Sequence, residues 1–310
     1  MSSITLTIIA DMTANYGEGL GNISQIQKVY RGNKVYAIRS KESLKYAIKE
    51  KAGFNEDLNV MINKRVCCNK IGDDENNSIK RSLEGGYMNT AEDKKRNSSF
   101  YLTDAVSLYE YNSLQRFHTN LNMFNHLNEE DRKKIKKTKN KNNVELEEEK
   151  TVHNGLMPYQ YEFAKDLFKY SITIDLDRIG VDENFDAEAD AEEKKSRVKC
   201  LLDAVRHLSL CVKGNLDDAS PLFVVGGIVD EKSPFLHSLV VVKDEKLHIS
   251  DALLEETEEN ENIHVGLQDT MVFENEKEIF EKLKAVSINR FFKDLNEKVE
   301  NYYGQTGSKA

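Results

Sequence analysis

Apolar and polar positions alternate and then run apolar over residues 4–10, the pattern of a buried strand. A Gly-rich stretch, "ANYGEGLGNIS", follows, and residues 34–39 read as a second extended piece. Ser40 stands where an N-cap belongs. Leu44, Ala47 and Ile48 then recur at helical spacing to about Lys51, and Gly53 stops the helix. Lys45 and Lys49 fall four apart on one face of it. Residues 54–99 are mixed and polar, with "IGDDENNS" an exposed loop. Residues 100–109 and 169–177 read as strands, the second from its alternation of β-branched side chains. The long insertion between them centres on "NEEDRKKIKKTKNKNNVELEEEK", a basic block followed by an acidic one, which is the composition of a mobile tip.

The second half opens with "DENFDAEADAEE", seven acids without a base. Val198, Leu201, Leu202, Val205, Leu208 and Val212 form the apolar stripe of the strongest helix, with Gly214 at its C-cap. Strands are predicted over 222–229, 236–242 and 247–250. An acidic loop, "EETEENEN", then precedes one amphipathic helix over 276–302. The order strand, helix, strand, long excursion, strand, helix, strand predicts an α+β fold of ferredoxin-like β-α-β-β-α-β type, a modified RNA-recognition fold with its central hairpin opened by an insertion. The two aromatic motifs with which such sheets stack bases are absent, so the sheet face alone is not expected to hold RNA.

Composition narrows the function classes. At 310 residues the chain is long enough to bury a sizeable core. Its net charge of −9 and pI near 5.5 argue against a surface that coats nucleic acid as a whole. Yet residues 24–51 hold eight Lys/Arg against two Glu, a local basic entrance. Cys67, Cys68, Cys200 and Cys211 have no metal-binding spacing, and no stretch of 18 apolar residues occurs, so a zinc site and a membrane span are not expected and the chain reads as cytoplasmic.

"ADMTANYGEGLGNISQIQKVY" followed by "SKESLKYAI" resembles the CRISPR-associated autoregulator DevR family, the backbone subunits of type I Cascade complexes, with subtype I-B the nearest in motif. "GGYMNTAEDKKRNSSFYLTDAVSLYEY", "RFHTN" and "FAKDLFKYSITIDLDRIG" extend the resemblance from residue 3 to about 242, and the last 60 residues add little to it. The resemblance implies a right-hand shape. Residues 1–53, 100–112 and 166–310 form the palm, the last part with a C-terminal helix; residues 54–99 are the fingers and 113–165 the thumb. Copies would polymerise head to tail along a CRISPR RNA, each thumb displacing a guide nucleotide, and the guide between thumbs would pair with a target DNA strand. The implied partners are that RNA, the target strand, other copies of the chain, and Cascade's 5′-end cap, large and small subunits. No cofactor, metal or catalytic group is implied, since in type I systems a separate helicase-nuclease cuts the DNA. Two features depart from the family: Lys45 stands where relatives often carry Arg, which turns a bidentate grip into a point charge, and the thumb tip is long and highly charged.

A carrier of variable guides must grip phosphates and leave base edges free. Main-chain amides of the Gly-rich loop and the helix N-terminus suit anions. Ser40 and Ser43 add hydroxyls, and Lys41, Lys45 and Lys49 add charge. Asn15, Asn22, Lys28, Arg31, Arg116 and Asn120 complete the expected RNA contacts along the basic entrance and the thumb. Tyr87 or Met88 can wedge against a base while Arg96, beside Lys94 and Lys95, meets phosphate; a turn next to a packed aromatic explains Tyr87 equally well. Phe117, Met123, Phe124 and Met157 either buttress a neighbouring copy or form a small thumb core. Gly17, Gly19 and Gly21 lack the Gly-Lys-Ser/Thr ending of a nucleotide loop.

Two other classes remain open. One is a type III-like endoribonuclease using Asp11, with Glu18 nearby, although His118, His126 and His153 form no catalytic or metal set by spacing. The other is a scaffold that never touches RNA, which salt dependence would separate from a phosphate binder. An acidic flank over 182–193 and a basic thumb tip over 132–141 either meet between copies or remain solvated.

Overall fold

Residues 2–14, 23–63, 65–71, 79–89, 93–112, 114–132, 156–212 and 214–306 are described by the computed structural model of the protein. The Gly-rich loop, with Asn15, Asn22 and Glu18, the "IGDDENNS" loop after Ile71, and almost all of the thumb tip lie outside these residues. The first strand, β1 (Ser3–Thr13), runs three residues beyond the alternating segment and is buried along nearly all its length. Its even positions, Ile4 to Met12, enter one core with the helices, whereas Ile9 enters a second core on the opposite face.

After β2 (Ile23–Ser24), strands β3 (Gln27–Arg31) and β4 (Lys34–Arg39) form a hairpin that turns at Gly32, whose φ is +60°. The first of that pair was not legible, because Gln27, Lys28 and Arg31 give it no apolar alternation. Ser40 caps α1 (Lys41–Lys51) as expected, its hydroxyl accepting from the Ser43 N–H, and Gly53 closes it at φ +71°. Two small hairpins follow: β5 (Val60–Asn63) with β6 (Val66–Asn69), and β7 (Tyr87–Asn89) with β8 (Lys94–Arg96).

The segment 100–109 is two strands, β9 (Phe100–Leu102) and β10 (Ala105–Ser107). The break at 103–104 has a use. Thr103 exchanges bonds with the Ser171 backbone, and the Asp104 carboxylate accepts the Lys41 N–H at the head of α1, 2.8 Å away. The insertion expected as the thumb begins and ends with β11 (Leu114–His118), α2 (Leu121–Asn125) and β12 (Tyr159–Phe163). Next come β13 (Lys165–Asp175), the short pair β14 (Val181–Asp182) and β15 (Ala187–Glu188), and α3 (Ala191–Arg206).

The last hundred residues depart most from expectation. Helix α3 stops at Arg206. Leu208 is buried just after it, and Val212 belongs to the hairpin β16 (Ser209–Val212) and β17 (Asn215–Asp218), with Gly214 at φ +79° in the turn and not at a helix end. β18 (Phe223–Val229) is as predicted. The strand expected over 236–242 is a helical turn, α4 (Leu236–Leu239), running into β19 (Val241–Lys243), which pairs with β20 (Lys246–His248). The acidic loop is a helix, α5 (Asp251–Glu259), because Ser250 caps it and Leu253 anchors it in the second core. β21 (His264–Leu267) was missed. The final helix is two, α6 (Glu276–Lys282) and α7 (Ile288–Thr306), parted by Lys284 at positive φ and by β22 (Val286–Ser287).

Among the described residues one sheet of nine strands organises the chain, in the order β22-β21-β18-β1-β13-β10-β4-β3, with β9 also paired to β13. It is mixed: β21 and β22 run parallel and the other pairs antiparallel. Helices α1, α3 and α7 cover one face, where Leu44, Ile48, Val198, Leu201, Phe292 and Val299 are fully buried. Each such side chain contributes about 1.5–3 kcal/mol relative to exposure. The chain is therefore an α+β protein whose last 60 residues supply two strands and a core helix. No helix among the described residues is long and apolar enough to cross a membrane.

Candidate nucleic-acid interface

The basic entrance folds into a ledge. β2 pairs parallel with β12, and Glu162 of β12 accepts both the Ile26 N–H (2.9 Å) and the Lys28 ammonium (2.9 and 2.7 Å). The β3–β4 hairpin and the thumb hairpin thereby become neighbours. Lys28 also lies 4.9 Å from the Tyr111 ring, so its charge is already spent on Glu162. Arg31 sits exposed over Tyr36, and Arg116 stacks 3.5 Å from the centre of the Phe163 ring. Neither guanidinium has an acidic partner among the described residues. The Asn120 side-chain amide oxygen accepts from the Met157 N–H at 2.6 Å and so ties two ends of the insertion together.

Cross-strand register places Leu114, Arg116 and His118 on the same face as Phe163, Tyr161 and Tyr159. His118, Tyr159 and Tyr161 are stacked with ring centres 5.1–6.1 Å apart, and His118 Nε2 lies 3.1 Å from the Tyr161 hydroxyl. An aromatic and basic strip of this kind offers π faces and cations together. His118, Tyr159 and Tyr161 were not among the expected RNA contacts. The period-2 spacing of 114, 116, 118 and 159, 161, 163 was the available signal. Phe117, Met123 and Met157 are exposed and join no core cluster among the described residues.

At the head of α1 the polar groups are largely engaged within the chain. The Ser43 hydroxyl accepts from Arg39 (3.0 Å), which also bonds the Thr13 carbonyl. Arg39 is buried, and burial lowers its pKa to about 10 despite the nearby Asp217 carboxylate. Lys41 is exposed and pairs with Glu42 at 3.2 Å; the hydrogen bond to that carboxylate raises its pKa.

Lys45 and Lys49 share a face as expected, but that face is turned onto residues 82–100. Lys45 donates to the Ser98 hydroxyl (2.6 Å) and the Gly85 carbonyl (3.2 Å) and lies 4.7 Å from the Phe100 ring; Lys49 donates to the Ser82 carbonyl (2.9 Å). Burial lowers both, with a nearby Lys49 charge adding to the fall of Lys45 to about 8. A lysine pKa that is lower folded than unfolded makes stability rise with pH, because the folded state releases its proton first. Between about pH 8 and 10.5 the native chain is therefore expected to gain stability relative to Lys45→Met, by roughly 3 kcal/mol at most. Denaturant unfolding of both chains across that window checks it; a difference that stays flat shows that Lys45 is not held in this way.

Tyr87 and Arg96 are corrected by the structure. Tyr87 is buried with its hydroxyl donating to Asp182 (2.8 Å), and burial first, then that carboxylate, raises its pKa. It is a packed residue rather than a base wedge, while Met88 beside it is exposed. Arg96 points into the chain, where it and Arg197 clasp the fully buried Glu84 at 2.9 and 2.5 Å. It does not reach a surface where phosphate would lie. Asp11, the candidate nuclease acid, is held by Lys165 at 3.3 Å, and the same ammonium lies 3.8 Å from buried Asp217.

A family model described as CRISPR-associated negative auto-regulator DevR/Csa2 matches residues 4–248. Two solved structures are similar. One, a chain of a CRISPR RNA-guided surveillance complex, has TM-score 0.48 at 14% identity, covering 88% of this chain and 92% of that one. The other, from a CRISPR RNA-guided surveillance complex, pre-nicking, has TM-score 0.50 at 12% identity, covering 87% and 93%. No curated protein is significantly similar in sequence.

Proposed function

Since the chain belongs to the CRISPR-associated negative auto-regulator DevR/Csa2 family, we propose that it is the CRISPR RNA-binding backbone subunit of a type I Cascade surveillance complex, of subtype I-B. In this reading several copies line one guide, hold its phosphates and leave its bases free to pair with a target DNA strand. They stand beside the cap, large and small subunits. The observation that carries the reading is the ledge between β3–β4 and β11–β12, where Arg31 and Arg116 lie over aromatic rings with no acidic partner among the described residues. Such grips are blind to sequence, as a carrier of changing guides requires.

The strand order supports the palm. β18, β1, β13 and the β9/β10 pair are neighbours in that order, with α1 and α3 on one face, which is the arrangement of a β-α-β-β-α-β unit. The segments 54–99 and 113–165 would then be fingers and thumb, and 1–53, 100–112 and 166–310 the palm. Arg31, Lys41 and Arg116 meet phosphate directly, with Ser40, Asn15, Asn22 and Asn120 as further donors. Ser43 acts alongside Arg39, Lys28 fixes the ledge, Lys45 and Lys49 set the fingers beside it, and Met88 is the apolar contact to a base. The protein grips RNA without cutting it. Lys165 beside Asp11 already supplies the positive charge that a catalytic cation would bring.

The test is purification of the chain from its host without added nucleic acid, followed by sizing and sequencing of whatever co-elutes. A discrete RNA class carrying repeat-derived ends, released as salt rises, is the expected result. Absence of RNA at low salt would falsify the guide-binding reading. Regularly spaced cleavage of a complementary RNA in magnesium, lost in Asp11→Ala, would replace it with the nuclease reading.

A further inference from the structure

The acids over 182–193, one candidate partner of a basic thumb tip, are mostly committed within the chain. Asp182 accepts from Tyr87, Glu188 pairs with Lys194, Glu192 with Lys195, Glu193 with Arg81 and Arg197, and Asp190 caps α3. Two other surfaces are left unsatisfied. We propose that copies of this chain join head to tail by seating the apolar, basic hairpin β5–β6 of one copy on the acidic helix α5 of the next. The proposal rests on the self-assembling reading above and names the contact that makes it.

The hairpin is a wedge without cover. Ile62 is 78% and Val66 64% exposed, and Val60 and Met61 are exposed as well. Register puts Val60 and Ile62 on one face and Met61 and Val66 on the other, so both faces are apolar. β5 and β6 pair only with each other among the described residues. A lone two-stranded hairpin is marginal in water, and its open apolar edges invite a partner. Residues 58–70 hold three basic residues and no acidic one. Aliphatic side chains have no π face for a base. An acidic protein surface therefore fits this hairpin better than a nucleic acid does.

Helix α5 has the matching chemistry. Glu255, Glu256, Glu258 and Glu259 make no ion pair among the described residues, and its last turn has no basic residue. Like charges three and four apart repel, and negative charge is unfavourable at a helix C-terminus, so cations arriving there are stabilising. Ala252 is exposed beside them and Leu254 half-buried, which leaves apolar area for the wedge.

Placement makes the contact propagate. The hairpin begins six residues after Phe54, which is buried in the core on the α1 side of the sheet. Helix α5 plants Leu253 in the core on the opposite side. A copy thus carries the two halves on opposite faces of its sheet. A contact between two unlike patches does not close on a pair but continues from copy to copy.

Sedimentation velocity of the full chain, with and without a short single-stranded RNA, tests this. The reversals Arg65→Glu with Lys70→Glu, and Glu255→Lys with Glu256→Lys, Glu258→Lys and Glu259→Lys, are each expected to weaken self-association at least about tenfold. Ile62→Ser should do the same without changing the melting temperature. Mixing the two charge-reversed proteins makes every junction complementary again and should restore assembly. A wild-type chain that stays monomeric in both conditions, reversals without effect, or a mixture that fails to recover each overturns the proposal. So does a hairpin reversal that loses the RNA oligomer while assembly persists, since the hairpin would then be a nucleic-acid contact. If the wild-type chain assembles as described but binds no RNA, this contact stands and the guide-binding reading falls.

Discussion

Replacement of Glu84 by glutamine is expected to lower the melting temperature by about 10 °C, from a loss of about 3–5 kcal/mol. Glu84 is fully buried where residues 81–99 meet Gly180 and α3. One carboxylate oxygen accepts from Arg197 (2.5 Å) and the Gly180 N–H (2.8 Å); the other accepts from Arg96 (2.9 Å) and from the Ser99 hydroxyl. Removing the negative charge leaves two guanidinium groups in a low-dielectric site, with Arg197 alone still reaching Glu193. The hydrogen bonds can be partly kept by the amide, so the loss reports the charge. Differential scanning calorimetry gives the magnitude. Limited proteolysis should also show earlier cutting over 81–99, because this cluster ties that segment to α3. A loss below about 1 kcal/mol would mean that the cluster is open to water and behaves as a surface ion network.

That cluster marks where sequence reasoning stops. Lys94, Lys95 and Arg96 look alike as a basic run, yet β8 is extended, so successive side chains take opposite sides and Lys95 faces away from Lys94 and Arg96. Lys95 is exposed, Lys94 lies over the Phe185 ring, and Arg96 turns inward. The inward choice is set by Glu84, and the second arginine arrives from 113 residues away. No local pattern encodes such a meeting. The central sheet was far more legible. β1, β13 and β18 carry continuous or alternating apolar residues because they are buried on both faces or nearly so, and their positions follow from the sequence.

The errors cluster where propensity was weak or charge misled. Glu-rich 255–262 reads as solvated loop, but Glu is a good helix former and Ser250 supplies a cap. The helix expected over 276–302 keeps its apolar spacing across the break at 284–287, so only pairing with β21 could reveal it. Of the candidate site, the N-cap, the shared helix face of Lys45 and Lys49 and the basic character of Arg31 and Arg116 were legible. What was hidden is which cations the fold had already spent. Lys28 goes to Glu162, Lys45 to Ser98 and Gly85, and Arg96 to Glu84.

That distinction yields the sharpest test of the interface. The double reversal Arg31→Glu with Arg116→Glu is expected to weaken guide RNA binding about one hundredfold near physiological salt, taking each charge-assisted phosphate contact as worth somewhat over 1 kcal/mol. Both guanidinium groups are exposed, lie over aromatic rings and have no acidic partner among the described residues, so the folded chain should keep its melting temperature. Each phosphate contact removed from a single strand should also flatten the dependence of log affinity on log salt by about 0.7, so the double variant should lose about 1.4 per copy. The loss should be the same for guides of unrelated sequence, because a phosphate grip reads no base. Lys28→Glu is the contrast. Its charge is neutralised by Glu162, so the salt slope should hardly change, while the link between the two hairpins weakens and stability falls. Titrating labelled RNA against the three proteins at several salt concentrations separates these outcomes. An unchanged slope for Arg31→Glu with Arg116→Glu would move the guide away from the ledge. A loss confined to one guide sequence would mean that these arginines read bases instead of phosphates.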